Sequence, residues 1–450
     1  MSTCPPSLDD IRACFEGAIP AIMATCARDG TPNVAYISQV HYVDERHVAL
    51  SYQFFNKTRA NILANPRASV LLMDPVIAAF YRLRLRYLRT ESGGALFERM
   101  KAQLAGIASH SGMAGVFRLL GADVYEVEAV ESVEGERLAP VSPPKPGLLA
   151  GVRRAAERMA ACCATDELLQ TVLAALNDHL GVRHAMVLML DAATQRLYTV
   201  ASCGYAISGI GSEIEMGHGV IGVAARERTP VRISHMTNAA SYSHAVRSSL
   251  RATEPGIALD TEIPFPGLAE PHSQLAAPIV SGGRLLGALF VESPLDMHFS
   301  FEDEDALVAI ASHLGAALEL LRQADEPAAE EPAPPAAPSA SGAPLPVRHY
   351  LANNSVFVAD NYLIKGVAGA ILGKLLREYS QQGRTEFSNR ELRLDPSIRL
   401  PDLADNLEAR LVLLQRRLAE NSPHLRIEKT GRGRFRLQVE RPVTLTEIAG

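Results

Sequence analysis

The alternation of apolar and polar residues is clearest in the middle of the chain, from about residue 165 to residue 321. A helical stretch, TDELLQTVLAALNDHLGV, precedes two strand-like runs at 184–190 and 197–201, which the polar turn DAATQR joins. A glycine-rich segment and further apolar strands follow, and the block ends with an acidic start that continues as an apolar helix. This order predicts an α+β domain with one antiparallel sheet and helices packed on it.

Glycines and apolar residues at particular positions carry a family resemblance in this block. They are Gly217, Gly219, Val220, Gly222, Pro230, Val231, Leu275, Pro278, Gly283, Gly287, Phe299, Ser300, Asp303 and Leu307. The block resembles a GAF domain, a small-molecule sensor and dimerisation module. The resemblance implies a sensor domain with its leading helix over residues 151–324, with the ligand pocket at Gly217, Gly219, Val220 and Gly222. The alternative is that these glycines serve only tight turns and close packing.

The ligand of this block is not evident from its motifs. Its histidines have spacings that match no standard ligand set, so we expect no metal site. The stretch SLRATEPGIALDTEIPFPGLAEPHSQ is longer than a usual loop and is either a lid over the pocket or a surface insertion.

Residues 1–135 predict strands rather than helices. AIMATCA and NVAYISQVHYV flank the turn RDGTP, and HVALSYQ, RASVLLMD, FYRLRLRYLRT and ADVYEVEAVESV read as further strands. The strict alternation in FYRLRLR places arginines on one face of its strand. NKTRANILANP reads as a helix that stops before Pro66. Five or six strands with few helices suggest a small antiparallel barrel.

The DGTP turn, the strand after it, the polar loop and NILANPRASVLL resemble the flavin-binding split barrel of the pyridoxamine-phosphate-oxidase-like superfamily. The resemblance implies FMN as cofactor, with its phosphate held by cations. Lys57 falls on one of two cationic loop positions and Thr58 on the other, whereas Ala35 and Val40 replace an expected Arg and Lys. Arg59 is a substitute cation. The candidate cofactor-binding residues are Ser38, Gln39, Ser51, Gln53, Asn56, Lys57, Thr58 and Arg59.

These missing cations argue against oxidase activity. The alternative to flavin binding is a barrel kept as a dimerisation scaffold or as a binder of another cofactor. We expect a homodimer, because split barrels of this superfamily place their flavin at a subunit interface. If the chain is an enzyme, the resemblance implies an FMN-dependent oxidoreductase, but we expect no catalysis and name no catalytic residue.

Two segments divide the chain further. Residues 136–150 are rich in proline and predict a semi-rigid linker. Residues 325–346 are a low-complexity Pro/Ala/Glu/Ser stretch and predict a disordered tether.

Residues 347–450 are basic, with 17 Lys and Arg against 12 Asp and Glu, on a chain whose net charge is −6. Their pattern predicts short strands, three helices and a hairpin with glycines at its tip. This order resembles the winged helix-turn-helix output domain of bacterial response regulators, and it implies DNA contact through the third helix and the wing. The candidate contact residues are Arg410, Arg416, Arg417, Lys429, Arg432, Arg434 and Arg436. Asp402, Asp405 and Glu408 would repel DNA at the start of that helix, so a winged helix used for protein contacts is the alternative.

Composition limits the remaining classes. Hydrophobic residues make up 47% and charged residues 21%, as in ordinary globular proteins. No apolar run reaches the length of about 20 residues that spans a bilayer, and the N-terminus lacks the apolar core of a signal peptide. We therefore expect a multidomain, cytoplasmic sensor and transcription regulator without membrane contact. The alternative is an FMN-binding redox protein.

Overall fold

The computed structural model describes residues 5–15, 19–37, 39–52, 56–94, 96–101, 104, 119–139, 147–233, 263–324, 342–398, 407–431 and 433–448. They form an N-terminal and a central domain built on antiparallel strands, and a C-terminal domain in which the strands Leu345–Tyr350 and Val443–Ile448 pair in parallel while the other pairs are antiparallel. None of the helices in these ranges is long and apolar enough to cross a membrane.

The N-terminal domain is one seven-stranded antiparallel sheet in the order β2-β1-β5-β6-β7-β4-β3. Its strands are β1 (Ala21–Cys26), β2 (Pro32–Ile37), β3 (Val40–Asp44), β4 (His47–Tyr52), β5 (Arg67–Met73), β6 (Phe80–Glu91) and β7 (Gly121–Val133). A 3-10 helix, Asp9–Phe15, and the helix α1 (Asn56–Ala64) accompany the sheet.

Two local predictions for this domain are confirmed. The alternation in β6 buries Leu83 and Leu85, while Arg84 and Arg86 project to the other face and pair with glutamates of β7. Helix α1 ends at Ala64, before the proline that cannot continue it. The sheet's buried face carries the core of the domain.

The central domain has a six-stranded antiparallel sheet in the order β10-β9-β8-β13-β12-β11. Its strands are β8 (His184–Asp191), β9 (Arg196–Cys203), β10 (Glu213–Glu215), β11 (Val231–Ile233), β12 (Ser273–Ser281) and β13 (Arg284–Ser293). Its helices are α2 (Leu148–Ala160), α3 (Thr165–Leu180), α4 (Gly219–Glu227) and α5 (Phe301–Ala324). Helices α2, α3 and α5 cover one face of the sheet and α4 covers the other. The predicted sheet with helices packed on it is therefore confirmed.

The C-terminal domain has two small sheets, in the orders β16-β15-β14-β20 and β17-β19-β18. Its strands are β14 (Leu345–Tyr350), β15 (Ser355–Val358), β16 (Asn361–Ile364), β17 (Glu386–Ser388), β18 (Leu425–Gly431), β19 (Arg434–Val439) and β20 (Val443–Ile448). Its helices are α6 (Gly366–Gln382), α7 (Asn389–Leu394) and α8 (Leu407–Asn421).

The ends of these helices follow from their capping residues. Gly383 ends α6 in the left-handed conformation, with φ 67°. The Ser388 hydroxyl accepts a hydrogen bond of 3.3 Å from the Glu391 N–H and caps α7, which confirms the predicted capping box. Strand β14 begins at Leu345, two residues inside the segment predicted as a tether.

The domains are not separate bodies in this structure. The apolar core of the central domain continues without a break into the C-terminal domain, because α8 packs against β9 and α3. On the other side, Arg12 of the N-terminal domain pairs with Asp305 at 3.4 Å and lies 4.9 Å from the ring centre of Phe301. The central domain therefore contacts both of its neighbours.

Candidate functional site

The predicted cofactor site of the N-terminal domain lies at the first turn of α1. Lys57 is exposed, and Thr58 is buried with its hydroxyl accepting a 2.9 Å hydrogen bond from Asn33 Nδ2. Lys57 and the N–H groups at the start of α1 are the groups here that fit a phosphate. Ala35 of β2 and Val40 of β3 contribute no charge.

Arg59, the predicted substitute cation, pairs with a carboxylate in this structure. Its Nη1 donates to Oδ1 of Asp123, and its guanidinium stacks 4.6 Å from the ring centre of Tyr52 and 5.9 Å from that of Tyr87. Burial lowers the pKa of Arg59, but the Asp123 carboxylate outweighs burial and leaves that pKa raised. Arg59 thus already has a carboxylate partner, and its role as a substitute cation stays a prediction.

A small cavity separates these residues from the sheet. Ser51, Thr58, Arg59 and Tyr125 are among its lining residues, and its volume is about 20 Å³, room for about one water molecule. The Ser51 hydroxyl is buried and has no hydrogen-bond partner among the described residues. A flavin ring does not fit in this cavity, so any flavin must lie outside it.

The remaining predicted residues of this site are Ser38, Gln39, Gln53 and Asn56, which precede or begin α1 in the sequence. The Gln39 carbonyl accepts a 3.1 Å hydrogen bond from the Ser51 N–H and joins β3 to β4. Ser38, Gln53 and the side chain of Asn56 lie outside the described residues.

The glycine segment of the central domain forms a tight turn into α4. Gly217 and Gly219 have φ of 86° and 62°, and the Gly217 N–H donates to the Gly222 carbonyl at 2.7 Å. A side chain at Gly222 would lie 2.3 Å from the Glu215 carbonyl, and Val220 is buried in the core. These contacts give the four positions a role in turn formation and packing. Their predicted role as a ligand pocket stays a prediction.

A buried carboxyl group on the same face of the sheet was missed by sequence reasoning. Glu292 of β13 is 2% exposed, and it accepts hydrogen bonds from the Leu268 N–H at 2.8 Å and from Gln274 Nε2 at 3.1 Å. Burial raises its pKa. No ion pair of the described residues includes it. A signal was present, because Glu292 directly follows the apolar run LLGALFV of a predicted strand.

Tyrosine and histidine side chains surround this carboxyl group. The Tyr205 hydroxyl is buried beside Glu292 but does not reach hydrogen-bonding geometry; burial, and then the carboxylate, raise its pKa. His184 lies opposite Glu292 in the β8–β13 register and packs 5.6 Å from the ring centre of Tyr205. The cluster could hold a ligand that donates hydrogen bonds or carries a positive charge.

The predicted nucleic-acid residues of α8 face the central domain. Arg410 is 4% exposed, its Nη2 lies 3.0 Å from Oδ2 of Asp191, and its guanidinium stacks 4.1 Å from the ring centre of Tyr198. Arg416 donates to the Val200 carbonyl at 2.8 Å. In this arrangement these arginines do not lie on an exposed surface, because β9 covers them.

Arg417 and the hairpin residues are the remaining predicted nucleic-acid contacts. Arg417 is buried and its Nε donates to the Leu363 carbonyl at 3.0 Å. On the hairpin β18–β19, Lys429 is exposed, Arg434 is half-buried and Arg436 pairs with a glutamate of β17. Arg432 lies outside the described residues, as do the acidic positions 402 and 405. Contact of these residues with DNA stays a prediction.

Comparison with known proteins agrees with two of the three domains. Residues 7–131 match the model of the pyridoxamine 5'-phosphate oxidase family, and residues 164–318 match that of the GAF domain. The chain thus carries a split-barrel-like N-terminal domain followed by a GAF domain, within a multidomain α+β protein. No curated protein matches it.

Several solved structures resemble parts of the chain. The GAF domain of a phosphoenolpyruvate-protein phosphotransferase from Coxiella burnetii is 20% identical and covers 39% of this chain and 95% of its own, with a TM-score of 0.30. A free methionine-R-sulfoxide reductase from Neisseria meningitidis, in complex with its substrate, is 18% identical and covers 41% and 98%, with a TM-score of 0.31. An FMN-binding protein from Syntrophomonas wolfei is 18% identical and covers 29% and 88%, with a TM-score of 0.25.

Proposed function

We propose that the chain is a signal sensor and transcription regulator of bacterial type, in which the GAF domain senses a small molecule and the C-terminal domain binds DNA as a winged helix. The observation that carries the proposal is the arrangement of the C-terminal helices and hairpin. Strand β17 stands between α6 and α7 and pairs with β19, so the hairpin is fixed beside α8. This is the order of a helix-turn-helix with a wing.

The charge of the hairpin supports contact with phosphates. Lys429 and Arg434 lie near its tip, and Lys429 is exposed with no carboxylate within 4 Å among the ion pairs of the described residues. Each phosphate contact should add about one unit to the slope of log affinity against log salt. Arg348 of β14 is a matched control, because it is a half-exposed arginine of the same domain outside the hairpin.

The test is fluorescence anisotropy with labelled genomic fragments at several salt concentrations. We expect binding that weakens with salt, and Lys429→Ala should lower both affinity and salt slope while Arg348→Ala leaves them unchanged. Absence of binding at low salt by the full chain and by residues 342–450 would refute DNA binding. The rival proposal, protein contact through the same domain, would then be favoured.

A second candidate function is FMN binding by the barrel, as a redox protein or oxidoreductase. The family match and Lys57 at the N-terminus of α1 support it, and the engagement of Arg59 by Asp123 weakens it. The visible absorption spectrum of the purified protein, repeated after incubation with FMN, tests it. A flavin band that weakens in Lys57→Ala but not in Lys101→Ala supports the proposal, and a colourless protein under both conditions refutes it.

We further propose that the chain forms a homodimer through the barrel. Ile22, Val34 and Tyr36 share one face of β1 and β2 by register, and Val34 and Tyr36 are 66% and 72% exposed. Apolar side chains on an exposed edge strand favour pairing with another chain. Light scattering should give a dimer mass for the protein and a monomer mass for Tyr36→Glu. A monomeric wild-type protein at micromolar concentration would refute the proposal.

A further inference from the structure

The contact between α8 and the GAF domain contains charged side chains beside the apolar core that the two domains share. Arg410 lies between Asp191 and the ring of Tyr198, and Arg416 reaches the backbone of β9 at Val200. At the edge of the contact, Lys365 pairs with Glu213 at 3.3 Å. The surface of α8 that a winged helix places in the major groove is therefore covered.

Removing the arginines of this contact from water costs free energy. Arg416 donates to one neutral carbonyl, its Nη2 is buried without a partner among the described residues, and burial lowers its pKa. A buried guanidinium with incomplete hydrogen bonding is less stable there than in water or against phosphate. Phosphate groups can therefore compete for the same side chains.

A path of close packing joins the contact to the ligand-facing side of the GAF sheet. A side chain at Gly211 would lie 3.7 Å from both Leu413 and Arg417 of α8, and 2.6 Å from Ile263. Ile263 lies five residues before Leu268, whose N–H donates to Glu292. The loop between β9 and β10 therefore lies between α8 and the segment that Glu292 fixes.

We propose that the GAF domain holds α8 in a covered position, and that a ligand on the Glu292 side of the sheet releases it toward nucleic acid. The inference rests on the proposed function, because it takes α8 as the DNA-reading helix. The chain allows release, since 20 residues separate Ala324 from Leu345 and can extend to about 65 Å. Such a tether also keeps the released domain at high local concentration.

Substitutions in the GAF domain test whether its contact with α8 keeps that helix covered, and they leave the C-terminal domain unaltered. In Asp191→Asn, Oδ1 can still accept from the Ala193 and Thr194 N–H groups of its own turn, while the carboxylate that faces Arg410 is lost. Glu213→Gln removes the partner of Lys365. Glu215→Gln is the matched control, because Glu215 lies on the same strand and pairs with Arg196 rather than with the C-terminal domain.

Two readouts report release. The chain contains no tryptophan, so Tyr198→Trp places a single indole beneath Arg410, and its emission reports exposure of the contact. Small-angle X-ray scattering of the protein without this reporter measures the radius of gyration. In Asp191→Asn/Glu213→Gln we expect red-shifted emission, a larger radius of gyration and DNA affinity raised about tenfold. Glu215→Gln should change none of these.

The outcomes separate the inference from the function on which it rests. Unchanged emission and radius in the double variant would overturn the inference, whatever the DNA result. Release without a gain in DNA affinity would overturn the claim that the hold blocks DNA, provided that residues 342–450 bind DNA. If the double variant releases α8 while neither the full-length proteins nor residues 342–450 bind DNA, that result would confirm that the GAF domain holds α8 and would refute the proposed function instead.

Discussion

The substitution Glu292→Gln tests whether the buried carboxyl group is a source of strain in the GAF domain. The oxygen of the introduced amide can accept the Leu268 N–H, and its NH₂ group can donate to Gln274 if the Gln274 amide turns over. The substitution therefore preserves shape and both hydrogen bonds, and removes only the ability to ionise. We expect a variant that is more stable than the wild type at pH 8.

The sign follows from the raised pKa of Glu292 in the folded protein. Between the ordinary glutamate pKa of about 4.5 and the raised folded value, the folded state binds more protons than the unfolded state. The free energy of unfolding of the wild type therefore falls as pH rises through this window. The glutamine variant lacks this term, so its advantage grows with pH and reaches about 1–3 kcal/mol, the cost of a buried polar group without full hydrogen bonding.

Native-state hydrogen exchange of the amides in β12 and β13 is the appropriate assay, because it reports the opening free energy of this domain within the full chain. Variant and wild type are compared between pH 4 and pH 8, and Glu215→Gln, an exposed change on the same sheet, is the control. A stability difference that is constant across this range would show that Glu292 does not titrate in the folded protein, and the reasoning from its burial would be refuted.

Three further predictions follow from other contacts. Arg232→Ala should lower the free energy of unfolding by about 3–5 kcal/mol in urea denaturation, since it leaves buried Glu304 without the cation 2.9 Å away. Asp123→Asn removes the carboxylate that pairs with Arg59, so the affinity for inorganic pyrophosphate should rise several-fold above that of the wild type. Calorimetry measures this affinity. Ser388→Ala should lower the free energy of unfolding by about 1 kcal/mol in the same urea assay, because α7 loses its cap. An unchanged free energy would show that this cap does not stabilise the protein.

Elements set by local pattern were predictable from the sequence. The two strand-like runs of the central block correspond to β8 (His184–Asp191), which is one residue longer than predicted, and β9 (Arg196–Cys203), which is three residues longer. The period of two in β6 and the cap at Ser388 needed only neighbouring residues to be recognised. Side-chain alternation and helix capping act within a few residues, so a single sequence contains their signal.

The surroundings of charged residues were not predictable in the same way. Apolar residues of α8 at positions 407, 411, 414 and 418 indicate one buried face, and that face is buried. The same helix also buries Arg410, whose cover comes from another domain, and Arg417, which contacts the Leu363 carbonyl of its own domain. Sequence periodicity cannot distinguish a solvated arginine from one that stacks on a distant tyrosine, because the two have the same pattern. The contact of Arg59 was not predictable for this reason, since its partner Asp123 is 64 residues away.

The GAF domain contacts both neighbours through guanidinium groups stacked on aromatic rings. On the barrel side, Phe301 lies between Arg12 at 4.9 Å and Arg232 at 4.3 Å, and on the other side Arg410 covers Tyr198. Each stack contributes about 0.5–2 kcal/mol, and on the α8 side it adds to the apolar core that the two domains share. The energy of one such stack is comparable to the few kcal/mol by which a ligand shifts a two-state equilibrium. Because Phe301 and Tyr198 belong to α5 and β9, which pack in the same core, a change in that core reaches both neighbours at once.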